Sequence, residues 1–340
     1  MSPSHKWAFY ALLKMAEKIL VFSFSFIGDA VLSTAVIQPL RAHFPDAYIT
    51  FLVGPRTFNL FATEPNIDAV VVYNNRGKHA GWDGRLQLIK TLRFHKYDIV
   101  VNLRDSLTAR CIGAKHWGMR RGDSNRHAVT RYLEVLQEYG VDTTGARPHL
   151  QLTAEEQATA HRFLIEAGWT SERLLIGIHP GGNWEYKLWD AKNYARLAST
   201  LAKDLGAAIL LFAGPDEREL QMQVAQMMDN PPLLVPTENL RRLGALISTC
   251  DVYIGNDTGP MHIAAAVDTP VVALFGSTNP IRSGPYGDKH TVVQSGIDLG
   301  CNPCHPGQDP GGCGAGNCEV IAGITVEKVL EAVEPYISQA

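Results

Sequence analysis

The chain has 340 residues, a formal net charge of -3 and 19% charged residues. A domain commonly has roughly 100–200 residues, so this length predicts two domains. The weak negative charge excludes a protein that binds nucleic acid through a generally basic surface. No apolar run approaches the ~20 residues of a membrane-spanning helix, and the N-terminus lacks the features of a signal peptide. We therefore expect a cytoplasmic protein.

The first residues, HKWAFYALLKMAEK, predict an amphipathic helical extension over residues 1–17. Packing of this helix on its own domain is the plainer interpretation. Trp7, Phe9 and Tyr10 with flanking lysines also suit a membrane surface, so a peripheral membrane contact stays open.

Short apolar strands then alternate with helix-like segments in two series. The first series runs from KILVFSFSF and DAVLSTAVIQPLRAHF through YITFLVG and AVVVYN to YDIVVNL. A proline and a polar helix, TAEEQATAHRFLIEAG, interrupt it. The second series begins at LLIGIHPGG and continues through AAILLFAGP, PPLLVP, VYIGNDTGP and TPVVALFG. Such alternation predicts parallel sheets covered by helices.

This α/β pattern predicts two Rossmann-like, doubly wound domains. We place an N-terminal domain at residues 1–155, a linker region at 156–172 and a C-terminal domain at 173–325. A C-terminal helix is expected at 326–340, and packing back on the N-terminal domain is one arrangement for it. Ligands of such sheets bind at the carboxyl ends of strands, so we expect the chemistry in a cleft between the domains.

The turn after the first strand reads FIGDAVLSTAVIQP and contains Gly28 and Asp29. A nucleotide-binding turn at this place ordinarily has several glycines. Asp29 falls where a helix N-cap is expected, and a capping carboxylate accepts bonds from N–H groups at the helix start. The alternative is a general base, because a carboxylate facing a cleft can accept the proton of an incoming hydroxyl.

The turn after the first strand of the second series reads HPGGNWEYKLW. Gly181 and Gly182 would let backbone approach a ligand closely, and Lys187 follows in the same loop. Trp184 and Trp189 flank this lysine and would partly desolvate it, which strengthens a contact with phosphate. The spacing G-x4-G-K-[ST] is absent from the chain, so a P-loop NTPase is not expected.

A third strand end reads CDVYIGNDTGPMHIAAA. Pro260 favours the first turn of a helix, and the N–H groups of Thr258 and Gly259 at that helix start would form an anion site for a diphosphate. His262 would lie about one turn into the helix, where a packing role is the alternative to a role in the site. The second domain is therefore predicted to bind phosphate.

Together these motifs resemble glycosyltransferase family nine, the ADP-heptose:lipopolysaccharide heptosyltransferases of Gram-negative bacteria. The resemblance covers nearly the whole chain from about Lys18 and rests on GDAVLSTAVIQPLRAHFP, HPGG with its lysine, LLFAGPDERE and GNDTGPMHIAAA. It implies a GT-B architecture, with the acceptor on the N-terminal domain and a nucleotide-diphosphate sugar on the C-terminal one. It also implies inversion at the anomeric carbon without a catalytic metal or another cofactor.

The resemblance also implies roles for single residues. Asp29 matches the base that deprotonates the acceptor hydroxyl, and Lys187 matches the lysine that neutralises the leaving diphosphate. Asp257 would bind sugar hydroxyls, and Glu217 would hold the ribose hydroxyls. The donor-binding residues implied in this way are Gly181, Gly182, Lys187, Glu217, Asp257, Thr258, Gly259 and His262.

Positive charge concentrates between Arg104 and Arg131, where seven Lys or Arg stand against two Asp. A solvated helical face is one interpretation, and a site for an acidic acceptor is the other. Inner-core lipopolysaccharide has carboxylates and phosphates, so the resemblance favours an acceptor site, at the cytoplasmic face of the inner membrane. The predicted acceptor-binding residues are Gly28, Arg104, Arg120 and Arg121.

Four cysteines lie in CNPCHPGQDPGGCGAGNC near the C-terminus. Their spacing, and the Gly/Pro-rich loop that contains them, suit a tetrathiolate zinc or iron site. Two disulfides or four unpartnered thiols are the alternatives, and disulfides are disfavoured in the cytosol. A bound ion would be structural, because four thiolates leave no open position. The predicted ligands are Cys301, Cys304, Cys313 and Cys318.

Other functions stay open on the sequence alone. A non-catalytic nucleotide-sugar-binding protein would keep the phosphate loop without requiring Asp29. A GT-B enzyme could use another nucleotide sugar or a protein acceptor, and a hydrolysing or epimerising relative is expected to have several acid or base residues around the donor sugar. A nicotinamide dehydrogenase would need G-x-G-x-x-G after a strand, which is absent. The donor sugar, the acceptor residue (Kdo or heptose) and the oligomeric state are not determined.

Overall fold

The computed structural model describes residues 18–118, 125–236, 239–298 and 318–337. The chain divides into two compact units, Met1–Gln151 and Leu152–Ala340, and each contains one parallel sheet. Among the described residues, no helix combines the length and the apolar character needed to cross a membrane. The N-terminal extension lies outside the described residues.

The first unit has a five-stranded parallel sheet with strand order β3-β2-β1-β4-β5. Its central strands are buried on both faces, as the continuous apolar runs predict. The strands are β1 (Lys18–Phe22), β2 (Tyr48–Val53), β3 (Ala69–Val72), β4 (Ile99–Asn102) and β5 (Lys115–Gly118). The described helices are α1 (Ile27–Leu32), α2 (Ile37–His43), α3 (Phe58–Phe61), α4 (Gly81–Phe94), α5 (Leu107–Arg110) and α6 (Ala128–Gln137), with a 3-10 turn at Ser33–Val36.

Strand β1 lies in the middle of this sheet. It pairs with β2 on one side, in the register Lys18↔Tyr48, and with β4 on the other, in the register Ile19↔Ile99. Because the order of strands reverses between β1 and β4, the loops that follow these two strands diverge and leave a crevice. Asp29 follows β1, and Arg104 follows β4.

The second unit has a six-stranded parallel sheet with strand order β11-β10-β9-β6-β7-β8. The strands are β6 (Leu175–His179), β7 (Ala208–Ala213), β8 (Leu233–Pro236), β9 (Val252–Asn256), β10 (Val271–Leu274) and β11 (His290–Val293). The described helices are α7 (Ala154–Glu166), α8 (Ala191–Leu205), α9 (Arg218–Gln226), α10 (Leu240–Ile247), α11 (Gly259–Ala266), α12 (Pro280–Ser283), α13 (Glu319–Ala322) and α14 (Val326–Ile337), with 3-10 turns at Glu185–Lys187 and Pro215–Glu217.

The order of this second sheet reverses between β6 and β9. These two strands pair in the register His179↔Gly255, so the loops HPGG and NDTG leave the same edge side by side. The motifs that the sequence singled out in this unit therefore meet at the topological switch point, where ligands of open parallel sheets bind.

Helix α7 begins with a capping box, in which Thr153 accepts from the Glu156 amide and Glu156 accepts from the Thr153 amide. The Arg241 guanidinium of α10 also donates to both carboxylate oxygens of Glu156, with N···O distances of 2.5 and 2.7 Å. The segment that the sequence predicts as a linker region, 156–172, thus contains most of a helix that packs within the second unit. Helix α14 contributes Val326, Val329 and Val333 to the core of the same unit.

The structure contains two strands that the sequence pattern did not predict, β5 and β11. Among the described strands, both lie at the edge of their sheet, and their sequences, KHWG and HTVV, mix polar and apolar residues. By contrast, α8 is formed by the amphipathic segment AKNYARLASTLAKDL and ends at Leu205, where Gly206 caps it with a left-handed φ of 64°.

Candidate functional site

Asp29 is the third residue of α1. The N-cap is Phe26, which has extended backbone angles and makes no side-chain cap, and the Ala30 amide donates to the Phe26 carbonyl at 3.0 Å. The interpretation of Asp29 as an N-cap is therefore wrong, because the helix starts two residues earlier. Its carboxylate still lies in the first turn, beside the positive end of the helix dipole, and the residue is half-buried.

The turn that holds Asp29 is fixed from two sides. Ser33 Oγ lies 2.6 Å from Ser23 Oγ and donates to the Ala30 carbonyl at 2.7 Å. Gly54, after β2, packs against the turn so closely that a Cβ there would lie 2.7 Å from Ser25 Cα. Asp29 therefore stands on a supported element and not on a loose loop, as a base must.

The loop after β4 is organised by Asn102, which is fully buried. Its side chain accepts from the Ser106 amide at 3.0 Å, donates to the Ser106 carbonyl at 3.0 Å and lies 3.1 Å from His116 Nε2. The pKa of His116 lies below its ordinary value, mainly because the imidazole is partly buried and also because the Arg110 charge is close. Arg104 lies over the Tyr73 ring, 5.9 Å from its centroid, so its position beside the crevice is defined by stacking.

The basic segment from Arg104 to Arg131 is partly neutralised by ion pairs. Arg110 binds Asp105 at 2.6 Å, and Arg126 binds Glu134. Two of the predicted acceptor-binding residues, Arg120 and Arg121, lie outside the described residues. The structure therefore places Gly28 in the first turn of α1 and Arg104 in the loop after β4, both at the carboxyl edge of the first sheet, and leaves the other two as predictions.

In the second unit, Glu217 is held against the HPGG loop. Its Oε2 lies 3.0 Å from Nε2 of the buried His179 and accepts from the Gly214 amide at 2.6 Å. A Cβ on Gly181 would lie 2.2 Å from the Glu217 carboxyl carbon. Since the carboxylate is anchored by two partners, it could not easily move aside, and glycine is required at this position.

The surroundings of Glu217 favour its charged form. Burial alone would raise the pKa of this carboxyl. Hydrogen bonding and charge from His179, together with the amides of Gly214 and Gly182, outweigh burial, so the net pKa lies below the ordinary value of 4.5. Glu217 is thus a carboxylate acceptor at neutral pH, as a group that receives ribose hydroxyls must be.

Lys187 ends the short 3-10 turn after HPGG and contacts the NDTG loop. Its Nζ lies 2.5 Å from Asp257 Oδ2 and 3.2 Å from the Asp257 carbonyl. The ammonium also lies 4.9 Å from the centroid of the Trp184 ring. Thr278 donates to the same carboxylate oxygen at 2.7 Å. This cation is therefore positioned by a carboxylate, a carbonyl and an aromatic face.

Asn256, at the end of β9, ties the two loops together. Its Nδ2 donates to the carbonyls of Pro180 and Gly181 at 2.8 and 3.1 Å. Its Oδ1 accepts from the Tyr194 hydroxyl at 2.9 Å and from the Trp189 amide at 3.3 Å. The residue is fully buried, so all four bonds are made away from water and fix the shape of the HPGG turn.

Thr258 is the N-cap of α11, and Gly259 and Pro260 are its first residues, which confirms the predicted helix start. A Cβ on Gly182 would lie 3.1 Å from Thr258 Cγ2, so the two loops pack closely. His262, in the same helix, is buried. Trp189, which the sequence suggested would desolvate Lys187, is a core residue whose indole donates to the Ile324 carbonyl at 2.9 Å.

The structure thus gathers most of the predicted donor residues at one edge of the second sheet. The sequence interpretation missed three side chains that organise this edge. His179 and Asn256 stand inside the quoted motifs HPGG and GNDTGP, immediately beside residues that were selected. Thr278 follows β10 in a segment without a distinctive pattern, so only the fold could bring it to Asp257.

Most of the cysteine motif lies outside the described residues, which include only its last member. Cys318 is the N-cap of α13 and is buried among apolar residues of the second unit. Across residues 18–118, 125–236, 239–298 and 318–337, no group of three or more His, Cys, Asp or Glu is arranged to hold a metal ion. Cys301, Cys304 and Cys313 are outside these ranges.

Comparison with known proteins decides the family. The model of glycosyltransferase family 9 (heptosyltransferase) matches residues 85–313, which is more than half of the chain. The chain belongs to glycosyltransferase family 9. The resemblance found from the motifs is thereby confirmed, and with it the prediction that the protein is a glycosyltransferase.

Curated relatives agree with this assignment. Lipopolysaccharide heptosyltransferase 3 of Escherichia coli K12 is 31% identical over 293 residues, which is 76% of this chain and 82% of that protein. The lipopolysaccharide core heptosyltransferase OpsX of Haemophilus influenzae is 26% identical, with 82% and 84% of the two chains covered. Lipopolysaccharide heptosyltransferase 2 of E. coli K12 is 25% identical, with 95% and 99% covered.

Solved structures establish the fold. A family 9 glycosyltransferase from Veillonella parvula superposes with a TM-score of 0.83 at 27% identity, covering 95% of this chain and 98% of that one. The ADP-heptose lipopolysaccharide heptosyltransferase II of E. coli gives 0.75 at 24% identity, with 95% and 99% covered. The family 9 enzyme thus has the predicted α/β, GT-B architecture with two Rossmann-like units.

Proposed function

We propose that this family 9 enzyme transfers a heptose from ADP-heptose to a Kdo or heptose residue of the lipopolysaccharide inner core. The observation that carries the proposal is the set of side chains at the switch point of the second sheet. There the Lys187 ammonium contacts the Asp257 carboxylate, and the Glu217 carboxylate lies against Gly181 and accepts from the Gly182 amide. The names of the relatives, all heptosyltransferases of lipopolysaccharide, support the sugar and the acceptor.

The donor would bind across the HPGG and NDTG loops. The amides of Thr258 and Gly259 open α11 and would accept the diphosphate at the positive end of that helix. Lys187 would neutralise the charge that develops on the leaving ADP, so no metal is needed for departure. Glu217, charged and anchored by His179, would accept the ribose hydroxyls, and Asp257 would bind hydroxyls of the sugar.

The acceptor would bind to the first unit. Asp29 would take the proton of the acceptor hydroxyl as its oxygen forms a bond to the anomeric carbon of the donor. The bond from that carbon to the diphosphate oxygen breaks on the opposite face, so the configuration inverts. Arg104, beside the same crevice, would contact the acidic groups of the core, as would Arg120 and Arg121.

The four cysteines Cys301, Cys304, Cys313 and Cys318 would hold a structural zinc or iron ion that takes no part in transfer. The acceptor is anchored in a membrane, so the enzyme would work at the cytoplasmic face of the inner membrane, in peripheral contact with it.

Direct transfer assays test the reaction. The purified protein is incubated with ADP-heptose and two lipopolysaccharide acceptors, one ending in Kdo and one in the first heptose, with and without EDTA. We expect one acceptor to gain the mass of one heptose at a rate that EDTA leaves unchanged, with an inverted anomeric signal in the product. Binding of ADP-heptose without transfer to either acceptor would identify a binding protein, and transfer only from another nucleotide sugar would reject the donor.

A further inference from the structure

Helix α4 of the first unit exposes large apolar side chains to solvent. The helix buries one stripe, formed by Gly84, Leu88 and Leu92. On other sides of the helix, Trp82 is 80% exposed, Leu86 52% and Phe94 85%. At 100° per residue these three positions fall within one 120° sector, turned away from the buried stripe.

The segment that contains this helix is basic, although the chain as a whole is slightly acidic. From Arg76 to Lys96 there are six Lys or Arg and a single acid, Asp83. Arg85, Lys90 and Arg93 are exposed on α4, and none of the ion pairs made within the described residues includes them. The Arg85 guanidinium lies 5.9 Å from the centroid of the Trp82 ring.

Exposed aromatic residues together with unpaired cations suit an anionic lipid bilayer as the partner. Helices of this kind bind in the membrane interface, where the aromatic rings lie at the headgroup level and the cations contact lipid phosphates. Trp82 and Phe94 are twelve residues apart, or ~18 Å along the helix axis. The two aromatic residues can therefore anchor both ends of a helix that lies flat on a membrane.

We propose that the exposed face of α4, defined by Trp82, Leu86 and Phe94 with Lys90 and Arg93 and bordered by Arg85, is a membrane-docking face that binds an anionic lipid bilayer. Its use rests on the proposed function, because a lipid-anchored acceptor is presented at a membrane. Its test does not depend on that function, since vesicles without lipopolysaccharide contain no acceptor.

Vesicle sedimentation with the full-length protein tests the proposal. We expect binding to vesicles of phosphatidylglycerol and phosphatidylcholine, weakening as salt rises, and little binding to pure phosphatidylcholine. Trp82→Ala with Phe94→Ala should lower the partition coefficient by on the order of tenfold or more, because interfacial binding scales with buried apolar area. Arg85→Gln, Lys90→Gln and Arg93→Gln together should lower it similarly and remove most of the salt dependence.

Matched controls come from the second unit. Ile165→Ala with Ile281→Ala removes exposed apolar side chains, 55% and 67% exposed, and Lys192→Gln, Lys203→Gln and Lys289→Gln removes three exposed cations. Both control proteins should bind vesicles like the wild type. All variants should keep the wild-type circular dichroism spectrum and affinity for ADP, which shows that they fold.

Several results would overturn the proposal. These are a wild-type protein that ignores anionic vesicles, α4 variants that bind as well as the wild type, and binding that is lost only when Trp7, Phe9 and Tyr10 are replaced. A lipid-free oligomer that dissociates on Trp82→Ala with Phe94→Ala would assign the face to contact between copies of the chain.

A direct supporting result would be quenching of Trp82 fluorescence by brominated lipid. This quenching should be absent in Trp82→Phe, and it would place the helix in the bilayer.

Discussion

The ammonium of Lys187 lies 2.5 Å from the carboxylate of Asp257, and the two residues come from loops that follow different strands, β6 and β9. The side chains are 18% and 6% exposed, so the pair is largely removed from water. Thr278 donates to the same carboxylate oxygen. These contacts fix the position of the ammonium beside the residues that open α11, where we place the departing diphosphate.

Replacement of Lys187 tests that role. Lys187→Ala should lower kcat by on the order of 10²–10³, the loss seen when one preorganised group that stabilises transition-state charge is removed. Asp257 keeps the Thr278 hydroxyl but loses its cation, so we also expect ~1–3 kcal/mol less stability. The control is Lys192→Ala, which removes an exposed lysine from α8. Steady-state turnover at saturating donor decides the matter, and an unchanged kcat would remove Lys187 from the reaction.

Glu217 is expected to bind the ribose of the nucleotide. Glu217→Gln should weaken ADP binding by on the order of 10- to 100-fold, because a charged hydrogen bond contributes roughly 1.5–3 kcal/mol. Calorimetry with ADP and its 2′-deoxy and 3′-deoxy analogues separates ribose contact from a general disturbance. Wild type should distinguish ADP from at least one analogue, and the variant should bind all three alike. Equal discrimination by both proteins would contradict the ribose assignment.

The same carboxylate predicts a pH dependence of stability. Its pKa in the folded protein lies below the ordinary value of 4.5, so its stabilising contribution is complete above that pH. The contribution is lost as the pH falls through the folded-state pKa. Urea unfolding between about pH 3 and 6 should therefore show wild type and Glu217→Gln converging in stability toward acid. A constant difference across this range would contradict the prediction.

Asn256 is predicted to hold the HPGG turn in place. Asn256→Asp keeps the size of the side chain but replaces two donated bonds, to the Pro180 and Gly181 carbonyls, by repulsion between oxygens. We expect roughly 2–4 kcal/mol lower stability and weaker ADP binding. Asn239→Asp is the matched control, because Asn239 is the N-cap of α10 and Asp caps equally well. If both variants melt alike, the buried amide does not organise the loop.

The cysteine motif is tested on the full-length protein. Metal analysis should find about one equivalent of zinc or iron, and Cys301→Ser should lose the metal and some stability, because a tetrathiolate site needs all of its ligands. Cys111→Ser, which removes an exposed cysteine outside the motif, should keep both. Metal-free protein with four reactive thiols in the motif would reject the site.

The sequence predicts the architecture well because its signals are local. A continuous apolar run such as AILLFA indicates a buried strand, and apolar residues at helical spacing, as in AKNYARLASTLAKDL, indicate an amphipathic helix. The edge strands β5 and β11 do not, because KHWG and HTVV contain polar residues, whereas the edge strands β3 and β8, AVVV and LLVP, are apolar throughout. The boundary of α1 was misplaced for a related reason: Phe26 is a poor N-cap, so nothing in the sequence marks the true start of that helix.

Residues of the candidate site could be predicted where they stand in a short motif directly after a strand. Gly181 and Lys187 follow β6, and Asp257 and Thr258 follow β9. That position alone suggests a ligand. The partners that hold them depend on long-range packing. Thr278 comes to Asp257 across the end of β10, and Tyr194 reaches Asn256 from a helix sixty-two residues earlier in the chain. No periodicity connects such pairs, so they appear only once the sheet order is known.

Asp29 is the residue on which the proposed reaction depends most, because it is the base assigned to the acceptor hydroxyl. Asp29→Asn keeps the shape of the side chain in the first turn of α1. The loss of a negative charge there should cost about 0.3–1 kcal/mol of stability. Asp83→Asn is the matched control, since Asp83 is an acidic residue at the same third position of α4. Both variants should bind ADP like the wild type, because the proposed donor residues belong to the second unit.

The deciding measurement is the rate of heptose transfer from ADP-heptose to a lipopolysaccharide core acceptor by Asp29→Asn, with melting temperature and ADP affinity recorded on the same protein. We expect a rate lower by on the order of 10²–10⁴, with melting temperature and ADP affinity near wild type and Asp83→Asn fully active. Transfer by Asp29→Asn within a few-fold of wild type would contradict this expectation.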